Sequence, residues 1–206
     1  MRKLMKKIAL LLAMVVTFSS ISGNVAFAKT SQAQKVKKTY ANRLARAAAG
    51  EDIFCSADMD NGNEMYFTII DLNKDSVPEL ILSRRKFTDV YAYVNGKFKC
   101  IASGDTGSHV FYPSKGVIYS ENIRKGFYAI YYTKFDGKRG KEVASKKGKY
   151  GGKTYTYKVN GKKVSAKKFN SYVKKLKGNA KKVKEYKMNL VQNTPSNRLK
   201  KLGYRK

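Results

Sequence analysis

Tryptophan is absent from this 206-residue chain, histidine occurs once, cysteine twice and proline three times. A single imidazole, His109, excludes a histidine-built zinc site, and two cysteines as far apart as Cys55 and Cys100 do not make a zinc knuckle. No glycine-rich loop that would cradle a phosphate appears, and the run "GDTGSHVF" around Ser108 lacks a nucleophile-elbow pattern. Asp105, Ser108 and His109 are neighbours in sequence, but catalytic triads assemble from separate segments, so adjacency alone makes no hydrolase. Acid is also scarce: 14 Asp and Glu stand against 44 Lys and Arg, for a formal net charge of +30.

The longest apolar run, "IALLLAMVV", follows Arg2, Lys3, Lys6 and Lys7 and precedes Ala26-Phe27-Ala28, a small-x-small cleavage pattern. Residues 1–28 are therefore expected to be a secretory signal peptide, because the run falls short of the roughly 20 residues a spanning helix needs. The expected localisation is secreted, with cell-wall association compatible with the charge and no transmembrane segment in the mature chain. In an oxidising compartment an even pair of cysteines forms a disulfide by default, so Cys55 and Cys100 are expected to pair, contributing about 3–4 kcal/mol. Two buried thiols are the alternative.

Charge is distributed unevenly. Residues 51–105 carry ten acids against six cations, whereas residues 106–206 carry 28 cations and four acids. Two electrostatic roles are implied, one for each half.

Periodicity divides the chain similarly. Val36, Tyr40, Leu44 and Ala47 recur at helical spacing over 31–49, and Gly50 is placed as a stop. From about 64 to 164 the pattern becomes short strands rich in Tyr, Phe, Val and Ile, with Asn95-Gly96 and Asn160-Gly161 marking type I′ hairpins. Ser165 then caps a helix with Phe169, Tyr172, Val173 and Leu176 on one face, and that face is expected to dock on the sheet. A further helical segment is expected through Val183, Tyr186 and Leu190, and Thr194-Pro195 opens a last helical turn. The expected fold is α+β and mostly β: an N-terminal helix over 29–50, an antiparallel meander over 51–164, and a basic helical segment over 165–206 packed on it.

"DLNKDSVPEL", residues 71–80, lies between the apolar runs "YFTII" and "LIL". Asp71, Asn73, Asp75 and Glu79, with the carbonyl of Val77, fit the oxygen spacing by which a short loop holds calcium. Leu82 stands where an EF-hand needs its bidentate Glu, so that motif is excluded. The alternative is a turn held by Asp and Asn side chains bonding their own backbone. Over residues 64–103 the sequence resembles the FG-GAP/VCBS-like calcium loop of propeller blades, and small exported Firmicutes domains that carry one such segment. The resemblance implies one blade-like unit of four strands, with calcium held by Asp71, Asn73, Asp75 and Glu79. Lys74 and Ser76 stand where that loop usually has glycine.

The basic half interleaves Lys with Tyr and Phe. Strand alternation sends the two classes to opposite faces, so the plain reading is a core face and a solvated face. The functional reading is an electrostatic surface for an anionic polymer or surface: wall polymer, lipid headgroups or glycan, with nucleic acid bound only non-specifically. An exported non-enzymatic binding module, with one calcium as its only expected cofactor, is the reading carried forward. The alternatives are a small extracellular hydrolase using His109 or acids within 51–79, and a secreted structural protein without a specific ligand.

Overall fold

The computed structural model describes residues 31–51 and 65–204. The signal peptide, Cys55 and most of the acids of 51–64 lie outside these residues.

Helix α1 occupies 31–48 and buries Val36, Tyr40, Ala41, Leu44 and Ala47, one helical stripe. It lies on a five-stranded antiparallel sheet ordered β12-β1-β2-β3-β4. Four of these strands are consecutive: β1 (Tyr66–Ile70), β2 (Glu79–Ser83), β3 (Phe87–Val94) and β4 (Lys97–Asp105). The fifth, β12 (Val191–Gln192), returns from the C-terminal segment to pair with β1. Alternation splits β2 between two cores: Leu80 and Leu82 face α1, and Ile81 faces the opposite layer.

That opposite layer is a seven-stranded antiparallel sheet ordered β10-β9-β8-β7-β6-β5-β11. Its strands are β5 (Val110–Tyr112), β6 (Val117–Arg124), β7 (Phe127–Phe135), β8 (Gly140–Gly148), β9 (Tyr155–Val159), β10 (Lys162–Val164) and β11 (Val183–Lys184). Phe111, Ile118 and Phe135 meet Ile81, Val90 and Ala92 between the sheets. Helix α2 (Ala166–Lys177) covers part of the outer face through Phe169 and Val173, packed with Tyr132 and Val143. The layers run helix, sheet, sheet, helix, and neither sheet closes into a barrel. The fold is α+β, mostly β, with helices at both ends, in agreement with the sequence pattern.

Local chemistry explains the connections. Asn95-Gly96 and Asn160-Gly161 have positive φ at both residues, 52° and 76° in the first turn and 48° and 79° in the second, as type I′ hairpins require. Ser165 Oγ accepts from Lys168 N at 3.3 Å to cap α2, and Thr194 Oγ1 accepts from Asn197 N at 3.2 Å to cap α3 (Pro195–Leu202). The sheets approach closely at Gly140, where a Cβ would lie 2.4 Å from the carbonyl oxygen of Ile101.

One expectation is revised. Residues 183–192, whose spacing reads as helical, form β11, a 3-10 turn at Glu185–Lys187, and β12. Val183 and Lys184 pair with the open edge of β5, and Glu185 is drawn inward by partners distant in sequence. The C-terminal segment thereby supplies a strand to each sheet. Asn193 adds a tie by donating to the carbonyl of Leu44 in α1 at 2.8 Å.

Candidate functional site

The loop between β1 and β2 brings together the residues singled out for calcium. Lys74 and Ser76 adopt φ of 60° and 71°, the left-handed conformation for which glycine is usual, at a cost of about 1–2 kcal/mol per residue. The side-chain oxygens offset this by capturing backbone N–H groups. Asp71 accepts from Asp75 N at 3.1 Å and Ser76 N at 3.0 Å. Asp75 accepts from Val77 N and from the amide of Asn73, both at 2.8 Å. Glu79, almost fully buried, accepts from Leu72 N at 2.8 Å.

Burial pushes the Glu79 carboxyl up to about 8, and the nearby Asp75 and Asp71 add to the rise, while the Leu72 N–H works against it. The phenol of Tyr40, donating to the Pro78 carbonyl at 3.0 Å, is also raised, by burial first and then by Glu79. Among the described residues no group of three or more His, Cys, Asp or Glu side chains is gathered as a metal-holding set. The oxygens of the loop are engaged with its own backbone, as a turn built from Asp and Asn requires.

The second cysteine, Cys100, is half-buried on β4, its Sγ 3.4 Å from the carbonyl of Ala102. Its proposed partner Cys55 lies outside the described residues.

Asp105, Ser108 and His109 do not form a triad. Asp105 pairs with Arg124 at 2.5 Å, and Ser108 exchanges hydrogen bonds with the backbone of Glu121 at 3.1 and 3.3 Å. His109 instead meets a residue that sequence reasoning missed: its Nδ1 is 3.0 Å from Oε2 of Glu185, and both side chains are buried. Glu185 also accepts from Thr88 Oγ1 at 2.6 Å, Gly107 N at 2.9 Å and His109 N at 3.2 Å. Burial would raise the Glu185 carboxyl, but the His109 bond and charge, with Thr88 and the Gly107 N–H, hold it below its ordinary value. The site is closed. His109 Nε2 is buried without a partner, and a Cβ on Gly104 would come within 3.0 Å of the ring.

On the outside of this latch, lysine is the only charged side chain lining the cleft around β11. Glu185 is the only carboxylate side chain from residue 143 to the end of the sequence, and it points inward. Lys181, Lys182, Val183, Lys184 and Lys187 line a shallow cleft around β11. Ser171, Lys174, Lys175, Gly178 and Asn179 line a second groove at the end of α2. A third, beside the 71–79 loop, contains Asn73, Asp75, Ser114, Lys115, Lys134 and Asp136. Among the described residues, no lysine forms an ion pair with a carboxylate.

Tyr186 reports the resulting potential. Its ring is exposed, its hydroxyl accepts from Lys184 Nζ at 2.9 Å, and that bond, with the charges of Lys184, Lys187 and Lys182, holds the phenol below its ordinary value. Elsewhere lysines lie over tyrosine rings, as Lys146 does over Tyr155 at 3.9 Å and Lys147 over Tyr131 at 4.7 Å.

No protein family, curated protein or solved structure compared with the chain matches it.

Proposed function

We propose that the chain is an exported, non-enzymatic binding module whose lysine-rich C-terminal half associates electrostatically with an anionic polymer or surface, such as wall polymer, lipid headgroups or glycan. The observation that carries this reading is the inward turn of Glu185. A single buried carboxylate leaves the surface of the last third of the chain without a neutralising acid side chain, so its ammonium groups attract anions together. Export rests on the leader-like residues 1–28. Among the described residues no helix is long and apolar enough to cross a membrane, so contact with a bilayer through these helices would be with its surface.

Lysine supplies compact, strongly hydrated charge rather than the bidentate fork of arginine, which fits attraction without base-specific readout. The test is adhesion of the mature chain to cation-exchange resin, wall fragments and anionic vesicles as salt is raised. Salt-labile retention supports the reading; indifference to ionic strength contradicts it.

A second reading concerns the 71–79 loop. Its donors are all oxygen, the set a hard dication prefers, and three carboxylates share a short segment held in left-handed turns at Lys74 and Ser76. Calcium would be held by Asp71, Asn73, Asp75, the Val77 carbonyl and Glu79, and would serve to fix the β1–β2 connection. The FG-GAP-like resemblance belongs to this reading. An extracellular hydrolase is less well supported, because Asp105, Ser108 and His109 are engaged with separate partners.

A further inference from the structure

The three lysine-bearing clefts lie near one another. Lys115, in the groove beside the 71–79 loop, has its Cε 3.6 Å from where a Cβ on Gly178 would lie, and Gly178 lines the groove at the end of α2. Lys177 Nζ lies 6.0 Å from the ring centre of Tyr112, which brings the end of α2 to β5. The pairing of Lys184 with Val110 brings the cleft at β11 to the same strand. The succession runs from Lys187, Lys184, Lys182 and Lys181 through Lys175 and Lys174 to Lys115 and Lys134. It contains eight lysines and no arginine, and Asp75 and Asp136 stand at its far end.

We propose that this track is the binding site for a linear acidic polysaccharide, a deepening that rests on the electrostatic reading above. Three features select that ligand. Cations placed in succession match charges spaced along a chain, whereas a small anion would need them convergent. Lysine ammonium groups pair with sulfate and carboxylate as compact, hydrated point charges, without needing the planar fork by which arginine holds carboxylate or phosphate bidentately. Ser171, Asn179 and Ser114 place hydroxyl and amide groups between the lysines, suited to bonding sugar hydroxyls. Asp75 and Asp136 repel an anionic chain and so mark where its footprint stops.

The test is calorimetric titration of the mature chain with size-defined heparin oligosaccharides, from tetrasaccharide upward, beside inorganic polyphosphate and anionic phospholipid vesicles. Affinity is expected to rise at least about tenfold with saccharide length and then level off, as further lysines are engaged by one tethered chain. The double variant Lys115→Gln/Lys134→Gln, with melting checked against the parent, is expected to weaken the long saccharides and spare the shortest. Polyphosphate or vesicles binding as tightly as the longest saccharide, affinity independent of length, or a double variant equal to the parent would overturn the polysaccharide track and leave the general electrostatic reading standing. Failure of all three probes to bind would remove both.

Discussion

Glu185 Oε2 lies 3.0 Å from His109 Nδ1, and neither side chain is more than 1% exposed. The carboxylate hangs from the turn after β11, the histidine precedes β5 of the seven-stranded sheet, and Thr88, which donates to Glu185, belongs to β3 of the other sheet. One side chain thus ties the C-terminal segment to both layers while its neighbours Lys184 and Lys187 line the cleft outside. Stability and surface charge are connected at this position.

Removing one partner of such a latch leaves buried polar groups uncompensated. Glu185→Ala is expected to cost about 3–5 kcal/mol of folding free energy, measured by denaturant unfolding. Glu185→Gln keeps the shape and some acceptors, and is expected to cost less. A Glu185→Ala protein as stable as the parent would show that the latch carries no weight.

The buried carboxyls of Glu79 and Glu185 make folding depend on pH with opposite signs. Glu79 is raised from 4.5 to about 8, so between those values the folded state keeps a proton that the unfolded chain releases. Its contribution therefore falls as pH rises through this window, by up to about 1.4 kcal/mol per pH unit. Thermal melting from acid to neutral pH reads the slope, and Glu79→Gln is expected to flatten it. Glu185, held below its ordinary value, acts oppositely: its contribution is present above the unfolded value and lost as pH falls through the folded one.

Calcium binding predicts a rise in melting temperature. At a hundredfold excess over its dissociation constant, an ion bound only by the folded state adds about 2.7 kcal/mol, or roughly 5–10 °C for a chain of this size. Asp71→Ala and Asp75→Ala are each expected to abolish the rise. An unchanged melting temperature with calcium and with chelator identifies the loop as a turn held by its own side chains.

Close approach of the sheets at Gly140 makes a packing prediction. A methyl group there would stand 2.4 Å from the Ile101 carbonyl oxygen, so Gly140→Ala forces β4 and β8 apart. The expected cost is about 1–3 kcal/mol, with Gly50→Ala as a control at an open site where the strain is in the backbone alone.

Local features were legible in the sequence because their causes are local. Asn95-Gly96, Asn160-Gly161, Ser165 and Thr194 act on residues one to three positions away, and each turn or cap forms where its chemistry requires. The stripe of Val36, Tyr40 and Leu44 predicts its buried face for the same reason. Glu185 was hidden because its partners Thr88 and His109 lie 97 and 76 positions away. The spacing of Val183, Tyr186 and Leu190 reads as a helix, yet the free edge of β5 and the buried acceptors at 185 prevail over it. At 71–79 the sequence located the loop, and the structure adds that Lys74 and Ser76 take the left-handed conformation without glycine.

The central claim, anion association through the lysine-rich half, is tested most directly by salt titration of binding to a sulfated matrix. The parent is compared with a variant carrying Lys181→Gln, Lys182→Gln, Lys184→Gln and Lys187→Gln, whose folding is verified by melting. The account predicts that the parent is retained at low salt, that affinity falls linearly on logarithmic axes as salt rises, and that the variant elutes earlier with a shallower slope. Equal retention and equal slope in parent and variant would contradict it.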